Sequence, residues 1–163
     1  MSKVITDVSM SLDGFVAGPA VSVEAPMGEG GEKLRMFDVG VGTWEDTPYP
    51  APCFVITHEE REDIAMKSGT FTFAADGIES ALRQAKATAG EKDVIVMGGA
   101  DIIRQFLEAG LVDEMSIHLV PVLLGDGIRL FDRAGKERIE LENTRVVESP
   151  KAAHFVYRIK KED

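Results

Sequence analysis

The chain has 163 residues, 44% of them hydrophobic, a single cysteine, and a net charge of −10 from 18 Lys and Arg against 28 Asp and Glu. This length suits one well-buried core, so a single domain over residues 1–163 is expected, and Cys53 alone excludes an internal disulfide or a multi-cysteine metal site. The acidic surface argues against a nucleic-acid partner; no stretch approaches the ~20 apolar residues that span a bilayer and the start lacks a signal-peptide core, so a cytoplasmic protein with no membrane partner is expected.

Lys3 to Ser11 alternates Val4, Thr6, Val8 and Met10 with Ile5, Asp7, Ser9 and Ser11, the period of a strand, and Leu12-Asp13-Gly14 ends it. Gly18 to Pro52 is rich in Gly and Pro, with one short helical candidate over about Gly31 to Val39. Cys53-Phe54-Val55-Ile56-Thr57 is an apolar run between Pro52 and a charged stretch, as a buried central strand would be, and a second short strand is expected over Thr70 to Ala74. A helix follows in which Asp76 can cap the start, Glu79 can close a capping box and Gly90 can stop it, with Ile78, Ala81, Leu82, Ala85 and Ala89 on one face.

Asp93 to Met97 reads as a strand, Gly98-Gly99 as a turn, and the next segment as a helix with Ile102, Ile103, Phe106 and Leu107 as its buried stripe, ended by Gly110. With a strand over Glu114 to Leu124 this makes a strand-helix-strand unit, whose strands should be parallel. Ile139 to Ser149 and Ala153 to Lys160 are strand-like runs separated only by Pro150-Lys151-Ala152, which demands an antiparallel hairpin. The expected fold class is α/β with a mixed sheet.

In an open α/β sheet, ligands bind beyond the carboxyl ends of the parallel strands, where loops lead into helix N-termini. Gly98-Gly99 occupies that position: two glycines allow close approach to the backbone, and the free amides of Ala100, Asp101 and Ile102 with the helix dipole suit a phosphate. A plain tight turn is the competing reading, and the Asp101 carboxylate disfavours an anion. The spacing is not G-x-G-x-x-G, so an ordinary Rossmann dehydrogenase is disfavoured. At the first strand end, Asp13 could accept hydrogen bonds from a ligand or simply cap a turn before Gly14. Leu124-Gly125-Asp126-Gly127 could close over the same crevice or be an ordinary loop.

His58, His118 and His154 show no H-x-x-x-H or H-x-H spacing, so no metal is expected and structural or surface roles are assigned to them. No G-x-S-x-G elbow is present, and Cys53 lies in an apolar run that disfavours a thiolate. Trp44 and Tyr49 could stack on a flat heterocycle, although anchoring the loop is favoured.

Three motifs taken together, Ser9-Met10-Ser11-Leu12-Asp13-Gly14-Phe15-Val16-Ala17-Gly18-Pro19, Val94-Ile95-Val96-Met97-Gly98-Gly99-Ala100, and Gly110 to Glu114 continuing through Val120-Pro121-Val122-Leu123-Leu124-Gly125, resemble one family. It is the bacterial dihydrofolate reductase-like group that includes the C-terminal reductase domain of the bifunctional riboflavin-biosynthesis deaminase/reductase. The resemblance implies a three-layer α/β/α domain, a mostly parallel sheet with an antiparallel C-terminal hairpin, and hydride transfer from NADPH to a pyrimidine- or pterin-like substrate. It also implies that Gly98, Gly99, Ala100 and Asp101 contact the cofactor phosphates, that Asp13 lies at the substrate rim as the catalytic candidate, and that a homodimer forms. Relatives carry an additional strand and helix before a Gly-Arg-x-Thr motif; here Leu34-Arg35-Met36-Phe37-Asp38 resembles its end, with Leu34 where the cofactor arginine is expected. Either Arg35 substitutes or the grip on the 2′-phosphate is weaker. The alternative is a non-catalytic nucleotide-binding or dimerisation module of the same fold.

Overall fold

The computed structural model describes residues 2–22, 24–34, 51–65, 70–132 and 137–161. In chain order these form β1 (Val4–Ser11), β2 (Phe15–Ala17), a 3-10 turn (Gly31–Leu34), β3 (Cys53–Ile56), β4 (Ile64–Ala65), β5 (Thr70–Ala74), α1 (Ile78–Ala89), β6 (Val94–Val96), α2 (Ala100–Glu108), β7 (Glu114–Val120), β8 (Ile128–Arg129), β9 (Leu141–Ser149) and β10 (Ala152–Ile159). The chain divides into two units, one of residues 1–2 and 38–94 and the other of residues 3–37 and 95–163. No helix among the described residues is long and apolar enough to cross a membrane.

The larger unit is organised by a five-stranded sheet in the order β6-β1-β7-β10-β9. β1 and β7 pair in parallel from Ile5 opposite Glu114 to Ser11 opposite Val120. β10 then runs antiparallel to both β7 and β9, so the sheet is mixed. The short turn between Ser149 and Ala152 leaves no room for a crossover, which is why β9 and β10 reverse direction. β2 and β8 form a separate antiparallel pair.

Side-chain alternation selects the core. Met115 and Ile117 of β7 are buried beside Val4 and Thr6 of β1, while α2 contributes Ala100, Ile103, Phe106 and Leu107 at helical spacing. Ile102, expected in that stripe, is only half-buried. Leu34, Val120 and Ala152 form a second buried cluster, packed by Met27, Val122 and Leu124. Asp113 ties the strand starts together: its carboxylate accepts from Val4 N at 2.8 Å, its own N–H donates to Val4 O at 2.8 Å, and its carbonyl accepts from Ile159 N at 2.9 Å.

The smaller unit holds a three-stranded sheet ordered β3-β5-β4, with β3 parallel and β4 antiparallel to β5, together with α1. Cys53–Ile56 is thus not a buried central strand: all four residues are half-buried, and β5 takes the central place. An apolar run signals a strand but not its position, which depends on how many neighbours it finds. The N-cap of α1 is Gly77, not Asp76; its φ of 88° is a conformation that glycine tolerates best, and with the helix beginning one residue late no side-chain cap forms. Ala81 and Leu82 are the buried residues of the face expected for α1. Of the candidate helix at 31–39, Gly31–Leu34 is a 3-10 turn and the remainder lies outside the described residues.

Two substitutions test this core. Ile103, fully buried, leaves a cavity when cut to alanine, so Ile103→Ala is expected to lower unfolding free energy by about 2–5 kcal/mol in urea denaturation. Thr6 Oγ1 is buried with no hydrogen-bond partner among the described residues, so Thr6→Val, which removes an unsatisfied hydroxyl at constant shape, is expected to raise stability by about 1 kcal/mol in the same assay.

Candidate functional site

The carboxyl end of β1 turns sharply at Ser11-Leu12-Asp13-Gly14, where Gly14 N donates to Ser11 O at 3.0 Å and Gly14 takes a φ of 93°. Ser11, fully buried, donates its hydroxyl to Asp13 Oδ1 at 2.6 Å and accepts from Phe15 N at 2.9 Å. The Asp13 carboxylate also accepts from Leu124 N at 3.1 Å and from Gly125 N at 2.8 Å. Asp13 therefore does more than cap its own turn. It brings together two segments that the sequence presents as separate candidates, the end of β1 and the Gly-rich loop after β7. Arg129 lies beside them, its guanidinium 4.6 Å from the centre of the Phe15 ring and its Nη1 3.4 Å from Asp13 O.

These donors stabilise the charged form of Asp13. The Ser11 hydroxyl, followed by the amides of Gly125 and Leu124, outweighs partial desolvation and lowers the carboxyl pKa to about 2. At neutral pH Asp13 is ionised, able to orient hydrogen-bond donors but unable to supply a proton.

On the neighbouring strand β6, the chain passes through Gly98-Gly99 into α2. The first intrahelical bond runs from Ile103 N to Gly99 O at 3.1 Å, so the amides of Ala100, Asp101 and Ile102 precede the helical ladder. Asp101 directs its carboxylate to Gln105 Nε2 at 2.8 Å and to Arg104 at 3.7 Å. Arg104 in turn donates to Arg129 O at 3.1 Å.

The glycines of this unit differ in what they are for. A methyl group on Gly18 would stand 1.8 Å from Glu29 O, one on Gly28 2.3 Å from Gly18 O, and one on Gly127 2.0 Å from Ala17 O, so these three are small because backbones cross there. Gly99 is different: its φ is −68°, open to any residue, and a methyl group there would meet nothing within 4 Å. Among the described residues, the space beside Gly99 at the start of α2 is therefore open.

Of the expected site residues, Asp13, Gly98, Gly99, Ala100 and Asp101 lie at strand and helix ends of the larger unit, while Arg35, Trp44 and Tyr49 fall outside the described residues. Leu34 is a core residue, 1% exposed, so that position is committed to packing. The meeting of His118 with His154 and Asp7 is not legible in the sequence, because their proximity depends on strand register and not on spacing along the chain.

A mixed α/β unit with this order of elements is a dihydrofolate reductase-like fold. A protein of Shewanella sp. PV-4 named for riboflavin biosynthesis superposes with a TM-score of 0.71 at 18% identity over 98% of this chain and 99% of that one. The yeast riboflavin biosynthesis reductase Rib7 superposes at 0.59 with 17% identity, covering 98% and 89%. Both likenesses establish the fold. The chain belongs to the RibD C-terminal domain family, which matches residues 43–155, more than two thirds of its length. The uncharacterised YyaP of Bacillus subtilis (strain 168) is 27% identical over 90% of each chain.

Gly127→Ala, with a φ of 139° and a blocked Cβ, should lose about 3 kcal/mol of stability by urea denaturation. Asp13→Asn should accelerate amide exchange at Leu124 and Gly125. Because the folded-state pKa is depressed, the stability held by Asp13 is present above its unfolded value near ~4 and is lost as pH falls through about 2; acid titrations of wild type and Asp13→Asn should diverge across that window.

Proposed function

We propose that the protein is an NADPH-dependent reductase acting on a pyrimidine- or pterin-like ring, of the kind that serves riboflavin biosynthesis. The observation that carries this reading is the open space at the start of α2, where a methyl group on Gly99 would meet nothing within 4 Å among the described residues and three amides precede the helical ladder. β6 leads through α2 to β7, and a strand-helix-strand passage within one sheet returns the chain to the same end; β7 is parallel to β1, which supports placing Gly98-Gly99 and Asp13 at one rim.

In this reading the amides of Ala100, Asp101 and Ile102 hold the cofactor diphosphate, and the Asp101 carboxylate, already engaged by Gln105 and Arg104, opposes the anion less than a free one would. Arg104 and Arg129 add positive charge in an otherwise acidic protein. Asp13, ionised and fixed by Ser11 and the 124–125 amides, orients amino or hydroxyl groups of the substrate ring. NADPH would supply the hydride, and the proton comes from another source, since Asp13 has none to give.

A second reading, a non-catalytic module of the same fold, draws support from Leu34, which is buried where relatives carry the cofactor arginine. A homodimer belongs to either reading and is supported by β9, an edge strand whose nine residues are all exposed; light scattering tests it.

Titration with NADPH, followed by cofactor fluorescence, should give saturable binding that Gly99→Ala weakens about tenfold. Absence of binding at millimolar NADPH overturns the reductase reading; binding without turnover of an aminouracil or pterin selects the module.

A further inference from the structure

Four strands of the larger sheet, β1, β7, β10 and β9, contribute one side chain each to a continuous polar row. His118 Nε2 lies 2.8 Å from Asp7 Oδ1, His118 Nδ1 lies 2.7 Å from His154 Nδ1, and His154 Nε2 lies 3.3 Å from Ser149 Oγ. The row follows from register, since His118 and His154 stand directly opposite each other across β7 and β10.

Two ring nitrogens 2.7 Å apart are at hydrogen-bond distance, with room between them for one hydrogen and not two. The Asp7 carboxylate only accepts, so His118 keeps a hydrogen on Nε2. In the neutral pair the shared hydrogen therefore belongs to His154, whose Nε2 is bare. One further proton enters without disturbing the row: it settles on His154 Nε2, and the shared hydrogen can sit on either ring while still bridging them. A second proton has no such place, because both Nδ1 atoms would then carry hydrogens aimed at each other. The closed row thus accepts one proton where two separate imidazoles accept two.

We propose that His118 and His154 form a pH-sensitive clasp that holds the β9–β10 hairpin onto β7 near neutrality and releases it in mild acid. Among the described residues, Asp7 of β1 is the anion in contact with the pair, and it balances one added proton. On β9, Val147 stands opposite His154, with Arg145 two positions along on the same face, so that strand brings a cation and no counter-charge. The same-face neighbours within β7 and β10, Ser116, Val120, Ala152 and Val156, are uncharged. The hairpin is the part such a clasp can free, because all nine residues of β9 are exposed and its place in the sheet is beside β10 alone.

The sign follows from the proton count. In an opened chain both imidazoles take up protons as pH falls through about 6.5, whereas the closed row takes up one. Opening is favoured below that pH, by up to about tenfold in the closed-to-open ratio for each unit, and closure returns as pH rises. The clasp is independent of the reductase reading.

Amide exchange of the full chain at pH 7 and pH 5, corrected for the intrinsic effect of pH, tests this. Protection of the β10 and β9 amides should fall about tenfold at pH 5 relative to that of β1. His154→Asn offers His118 Nδ1 a side chain that can donate or accept but does not titrate, so closed and open forms take up the same single proton and the loss at pH 5 should vanish. Imidazole nitrogen shifts of the unmutated protein, with the exposed His58 as reference, give a readout that does not depend on the variant folding. They should show His118 and His154 both fully protonated only in molecules whose hairpin has lost protection. Full protonation of both rings with β10 protection intact, or an equal loss of protection in wild type and His154→Asn, overturns the proposal.

Discussion

The parallel pairing of β1 with β7 is the constraint on which the other features of the larger unit rest, because one register sets three meetings at once. Ser11 opposite Val120 aligns the two strand ends, so that Asp13 reaches the amides of Leu124 and Gly125. Ser9 opposite His118 places Asp7, two positions earlier on the same face, beside the imidazole. Asp113, immediately before β7, then locks the first residue of β1 with a reciprocal pair of bonds. A slip of one residue would turn Val4 and Thr6 outward and move Asp7 to the opposite face, so burial of one side chain set and assembly of the polar row cannot be separated.

Elements with a strong local signature were legible from sequence. The alternation in β1, the helical stripe of α1 and α2, and the brevity of the link between β9 and β10 each depend on neighbours a few residues away. What could not be read depends on partners far along the chain. The half-buried state of Cys53–Ile56 reflects membership of a small separate sheet, and the shift of the α1 cap to Gly77 reflects one backbone angle that outranked a good capping side chain. Among candidate site residues, the sequence pointed to Asp13 and to the Leu124–Gly127 loop but not to their hydrogen bonding, and it treated His118 and His154 as dispersed although they face each other across one strand pair.

The glycines show how one residue type carries two unrelated constraints. Gly18, Gly28 and Gly127 allow chain segments to cross at distances that no side chain would permit, and they hold the loops behind the β1 rim in place. Gly99 stands at the start of a helix with open space before it. A motif match weights the two alike, whereas the structure separates glycines at backbone crossings from one beside open space.

The sheet order also bears on how the chain is made. β1 is flanked by β6 and β7, whose residues are synthesised roughly 90 and 110 positions later, so β1 emerges well before both of its neighbours. At translation rates of about 5–20 residues per second this interval lasts roughly 5–20 s, during which the hydrophobic edge of a nascent strand is open to wrong partners. The three-stranded sheet and helix α1 of the smaller unit emerge in the meantime. Assembly of the larger unit is thereby a late event dominated by long-range closure, a regime in which folding is slow and nascent-chain chaperones have the most to protect.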